Sequence, residues 1–174
     1  VRTYLRWGYT VLVGAGALKP RADVIIQRAI DRGLVDGPRL WPSGDMITER
    51  GAIGAPTLTE VDGADEMRRV VGQQCDLGVR VIKLMVSGDG IVPGHPSQTT
   101  YMDDAMVAAA VEEAEAHGAF VTVHARSTDG SNRVTTPNAA ITPTVAAHRP
   151  RHPSRDVRGD TSTSTNATFC PETT

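Results

Sequence analysis

Apolar runs bounded by glycine and proline alternate with stretches of helical spacing through the first 127 residues of the chain. Tyr9–Val13 is apolar and ends in Gly14-Ala15-Gly16, which predicts a strand. Residues 23–32 follow with Val24, Ile25, Ala29 and Ile30 at helical spacing, and Gly33 stands where a C-terminal cap belongs. Pro38–Gly44 reads as a short strand running into a loop, and the Gly- and Thr-rich stretch 45–60 is expected to be a long loop. Asp62 predicts a helix N-cap with Asp65 and Glu66 in the first turn; Met67, Val70, Val71 and Leu77 form its stripe and Gly78 closes it. Val79–Val86 is the most apolar run of the chain and predicts a buried strand. A loop over 87–100 precedes a helix over 103–117, with a stripe of Met106, Val107, Ala110, Val111 and Ala114, before a last strand at Ala119–Ala125. Four strands and three helices in alternation indicate parallel βα units. The pattern fits about half of an eight-fold barrel or a small doubly wound sheet.

Residues 128–174 lose this pattern. They hold eleven Thr, four Ser and five Pro, and no Leu, Met, Lys, Tyr or Trp. Such a segment cannot bury enough apolar surface to offset its ordering entropy, so it is expected to be disordered. The break falls directly after a strand, where a helix should come next. A change of reading frame near Ser127–Asp129 would produce it, and a natural Thr/Pro-rich linker is the alternative. The chain therefore divides at 127 into an α/β part and a tail.

The chain has 174 residues, enough for one core but short of the roughly 250 of a complete (β/α)8 barrel. Its N-terminus has no signal-peptide shape and opens almost at once into a strand-like run, as in a chain begun inside a domain. A net charge of -2 offers no basic excess for nucleic acid or an anionic membrane. No apolar run approaches a bilayer's thickness. Two distant cysteines, Cys75 and Cys170, make neither a disulfide framework nor a zinc knuckle, and a cytoplasmic setting is expected. The open edges of a half-barrel lead us to expect self-association.

Three residues are candidates for chemistry. Lys83 stands inside Val81-Ile82-Lys83-Leu84-Met85-Val86, where an ammonium is costly unless it is paired or chemically changed. It is either a lysine that snorkels or pairs, or a functional one at a strand's C-terminal end. His124 lies near the end of the last strand, as a core residue or as a metal ligand. His95, in the loop after the Lys83 strand, is on the side where substrate would bind. His117 suits the dipole at a helix C-terminus. Gly14-Ala15-Gly16 suggests a phosphate loop only weakly, because position 19 is Lys and GxGxxG is incomplete. No residue is assigned as a catalytic acid or base.

In order, Gly8–Gly16, Gly37–Gly44, Asp62–Arg69, Gly78–Met85 and Glu112–Gly118 with Val121–Ala125 resemble the second to fifth strand units of the amidohydrolase superfamily. The likeness is to members akin to imidazolonepropionase and to the metal-dependent Xaa-Pro and Xaa-Arg dipeptidases, and it spans about residues 8–127. It implies a partial (β/α)8 TIM barrel, strands two to five. It also implies a metal-dependent hydrolase of amide, peptide or cyclic amide bonds, with a small-molecule or peptide substrate. In that family the fourth-strand lysine is carboxylated and bridges two divalent metals, typically Zn2+, and the fifth-strand histidine is a ligand; Lys83 and His124 match these positions. The first-strand His-x-His, the sixth-strand histidine and the eighth-strand aspartate have no match here. The chain is accordingly expected to bind metal poorly and to be inactive by itself. A non-catalytic remnant and a small α/β binding module are the alternative readings.

Overall fold

The computed structural model describes residues 1–53, 57–90, 92–135 and 165–168. A short helix α1 (Arg2–Arg6) leads into β1 (Val11–Val13) and α2 (Ala22–Asp31). Then come β2 (Arg39–Trp41), β3 (Met46–Glu49), β4 (Leu58–Val61) and α3 (Gly63–Asp76). The chain goes on through β5 (Val81–Met85), α4 (Asp104–Ala116), β6 (Phe120–Ala125), α5 (Thr128–Thr135) and β7 (Thr165–Thr168).

β1 pairs with β2, β3 with both β4 and β5, and β5 with β6, all parallel. β2 continues into β3 through Pro42–Asp45, and the Pro42 carbonyl accepts from the Arg80 and Val81 N–H groups at the start of β5. An Ala17–Asp45 bridge ties the chain after β1 to the same continuation. The strands β1, β2/β3, β5 and β6 therefore stand side by side in chain order. A doubly wound sheet reverses its order at a switch point. β1, β2/β3, β5 and β6 run without such a reversal, as in a barrel wall, while β4 pairs with β3 on the side away from β5. The antiparallel β7 lies against β6.

The stretch 45–60, expected as a loop, contains β3 and β4. Met46–Glu49 is too short for its alternation to stand out against its Gly- and Thr-rich surroundings, and tertiary pairing with β5 through Ile47 and Leu84 makes it a strand. The boundary at 127 is also displaced, because α5 carries helical structure to Thr135 and buries Val134. The rest of the segment expected to be disordered, apart from β7, lies outside the described residues.

The core sits between the sheet and α3 and α4. Ile82 and Leu84 of β5 and Val121 and Val123 of β6 face Met67, Val70 and Val71 of α3 and Met106, Val107, Ala110 and Ala114 of α4. Alternate residues of β5 point the other way: Met85 packs with Ala52 and Ile53, flanked by Met46, Leu58 and Tyr101. Lys83 shares this second face with Met85 by strand alternation. Among the described residues, the large exposed apolar side chains, including Trp7, Tyr9, Val11, Val13, Leu18 and Trp41, all fall within 1–41.

Candidate functional site

Two parallel strands set the site. In the β5–β6 register, Lys83 stands opposite Thr122 and Met85 opposite His124. Lys83 and His124 thus occupy one face of adjacent strands, one pleat apart and toward the C-terminal ends, where parallel-barrel sites form.

Lys83 is 5% exposed, and no hydrogen bond or ion pair accompanies it among the described residues. Burial alone pushes its ammonium down to about 8. Pairing is not seen among the described residues, and since Gln74 Oε1 is there the one side-chain N or O atom both sealed and unpartnered, the Lys83 tip is not sealed from solvent. At pH 7 a value near 8 leaves the amine mostly protonated, with a minor neutral fraction, the form that acts as a nucleophile.

His124 is half-buried, and its Nε2 lies 3.4 Å from the Gly88 carbonyl oxygen. Burial pulls its pKa below the ordinary histidine value, and the Lys83 charge adds to this; the Gly88 bond opposes it. The ring is neutral at pH 7. With Nε2–H donated to Gly88, Nδ1 keeps a free lone pair, as a ligand requires.

The loop after β5 closes over these strand ends. A Ser87–Thr100 bridge holds it, and Tyr101 N–H returns to the Val86 carbonyl. Ser87 Oγ accepts from Arg126 N–H at 2.7 Å, and Ser127 Oγ meets Thr100 Oγ1 at 2.6 Å. The Arg126 guanidinium donates through Nη1 to the Asp89 carbonyl. His95, on this loop, bonds the Ala52 carbonyl through Nδ1 and lies near Tyr101. It is held in the second apolar cluster, and no described contact joins it to Lys83 or His124.

A brace that the sequence did not reveal supports the neighbouring strand ends. The Asp23 carboxylate accepts from Ser43 N–H at 2.6 Å, Ser43 Oγ at 2.9 Å and Gly44 N–H at 3.1 Å. Ser43 Oγ in turn accepts from Gly16 N–H at 2.8 Å. Gly16 has φ +111°, and a Cβ there would collide with Met46 and lie 3.3 Å from Lys83 Cγ. The Gly14 N–H is bound to the Trp41 carbonyl. Gly14 serves close packing against Ser43 and Asp23, and Gly16 against Met46 and Lys83. Their amides are engaged internally and Asp23 fills the anion's place, so the phosphate reading loses its donors. Asp23 alone would have suggested only a helix-dipole carboxylate; its partners are about twenty residues away in sequence.

No group of three or more His, Cys, Asp or Glu able to hold a metal occurs among the described residues. Lys83 and His124 provide two donors, whereas a catalytic zinc uses three protein ligands and water. The described residues do not by themselves fit a catalytic metal ion.

Comparison with known proteins agrees with this geometry. No protein-family profile matches the sequence. No curated protein matches it either. Solved structures do. A prolidase complexed with N-methylphosphonate-L-proline is 30% identical, with a TM-score of 0.64, over 75% of this chain and 35% of its own. An amidohydrolase is 29% identical, with a TM-score of 0.64, over 76% of this chain and 36% of its own. A Xaa-Pro dipeptidase with methionine bound in its active site is 25% identical, with a TM-score of 0.64, over 72% and 34%. The chain thus spans about a third of the length of the enzymes it resembles. Among the described residues no helix is long and apolar enough to cross a membrane.

Proposed function

We propose, on the premise that about three-quarters of the chain is an amidohydrolase-superfamily segment, that it carries part of the active centre of a hydrolase of amide or peptide bonds. Lys83 and His124 are its two metal-ligating positions, and the ion they serve is divalent, with zinc as the expected one. Alone, with two ligands, the chain turns over no substrate. The observation that carries this reading is Lys83: a largely buried lysine inside an apolar strand, on one strand face with His124. A neutral Lys83 Nζ can add to the carbon of carbon dioxide and release a proton to water, leaving a carbamate anion that suits a cation. A cytosolic setting is consistent with the free, half-buried Cys75.

The test is 13C NMR of the chain in 13C-bicarbonate. A carbamate resonance that disappears in Lys83→Met supports the assignment, and its absence from the folded wild-type chain counts against it. The remnant reading is favoured only if neither the carbamate nor any dependence of metal binding on Lys83 and His124 is found.

A further inference from the structure

The chain's two tryptophans, Trp7 and Trp41, stand on one exposed apolar surface. The β1–β2 register builds it. Val11 lies opposite Arg39 and Val13 opposite Trp41, so these four side chains leave one face of the sheet. Strand alternation places Tyr9 on the same face. The Tyr9 ring meets Tyr4 edge-on with centroids 5.9 Å apart, and Trp7 follows Tyr4 by three residues on the same side of α1. Exposure over Tyr4, Trp7, Tyr9, Val11, Val13 and Trp41 runs from 39% at Trp41 to 72% at Trp7. β2 is the one partner of β1 among the described residues, and the other edge of β1 is open. The Trp41 ring in turn reaches Phe120, centroids 6.0 Å apart, so the surface runs on into the β6 face that carries Thr122 and His124. At about 200 Å² for a whole aromatic side chain, these residues leave roughly 700 Å² of apolar surface in water. That is more than the roughly 300–600 Å² of the largest patch on an ordinary monomer. It approaches the ~800 Å² that each partner gives to a stable interface.

We propose that this surface, with the open edge of β1, is the interface between two copies of the chain. One patch that meets itself across a two-fold axis needs no second, complementary surface. Its composition suits the role, because tryptophan, tyrosine and arginine are the residues enriched in interfaces and at their energetic centres. The expected self-association thus gains a defined surface. The contact involves neither metal nor carbamate, so it goes beyond the hydrolase reading and stands or falls independently of it.

The experiment is sedimentation velocity of the 174-residue chain over about 0.1–100 μM, with intrinsic fluorescence read on the same samples. The chain should pass reversibly from monomer to dimer in one step. Both indoles lie in the proposed contact, so on dilution the tryptophan emission should shift to the red with the same midpoint as the mass. Val13→Lys and Trp7→Ser should each weaken dimerisation about tenfold or more. Ile25→Ser, which removes an exposed apolar side chain from α2, should leave it unchanged. Circular dichroism confirms that each variant is folded, and the wild-type emission decides the matter if one is not. A monomer at every concentration, polydisperse aggregation in place of a dimer, an emission that ignores the step in mass, or a dimer that survives both substitutions would each overturn the proposal.

Discussion

Lys83 on β5 and His124 on β6 share one sheet face, one pleat apart, and the lysine's charge helps to keep the imidazole neutral. Each is an unusual residue for a buried parallel strand, and together they account for most of what this segment can do chemically.

The Lys83 ammonium is held at about 8 in the folded chain, against an ordinary value of 10.5. Between those values the unfolded chain binds more protons, so folding stability gains as pH rises through that window. The wild-type stability, measured relative to Lys83→Met, should increase by about 3 kcal/mol from pH 8 to 10.5. At pH 7 Lys83→Met should be the more stable protein, because an unpaired buried charge has been removed. Urea denaturation across pH checks both statements; a flat difference would show that Lys83 is not desolvated.

Removing the Asp23 carboxylate leaves three donors around Ser43 without their acceptor. Asp23→Ala should cost about 2–3 kcal/mol, in the range of hydrogen bonds to a charged group. Gly16→Ala should cost about 2 kcal/mol or more, since it combines a left-handed backbone with overpacking against Met46 and Lys83. Thermal or chemical denaturation measures each, and a neutral Asp23→Ala would show that the brace is not stabilising.

The two principal helices start differently. The Asp103 carboxylate caps α4 by accepting from Met106 N–H at 2.8 Å, whereas Asp62 makes no side-chain cap bond at α3. Asp103→Ala should therefore lose about 1 kcal/mol and Asp62→Ala much less. Equal losses in parallel melts would contradict the difference in caps.

Much of this was legible in the sequence because the cues were local. Asp62, Asp103, Gly78 and Gly118 marked the helix ends, and the stripe of α4 predicted its buried face residue by residue. Lys83 stood out as a charge inside an apolar run, and His124 as a polar residue near the end of one. The features that escaped depend on contacts distant in sequence. β3 is a strand because Ile47 meets Leu84, and Asp23 braces the site through Ser43. The Gly88 carbonyl meets His124 and the Asp89 carbonyl meets Arg126 across 36 and 37 residues of sequence. His95, singled out for its loop position, proves to be held by Ala52 and Tyr101.

The most direct test of the central claim is a zinc titration of the 174-residue chain in bicarbonate buffer, run beside Lys83→Met and His124→Ala and followed by an assay of dipeptide hydrolysis. The account predicts zinc binding weaker than a Kd of about 1 μM. Either substitution should reduce it further, and no hydrolysis should occur. Zinc retained stoichiometrically with measurable hydrolysis, or weak binding that neither substitution alters, would contradict it.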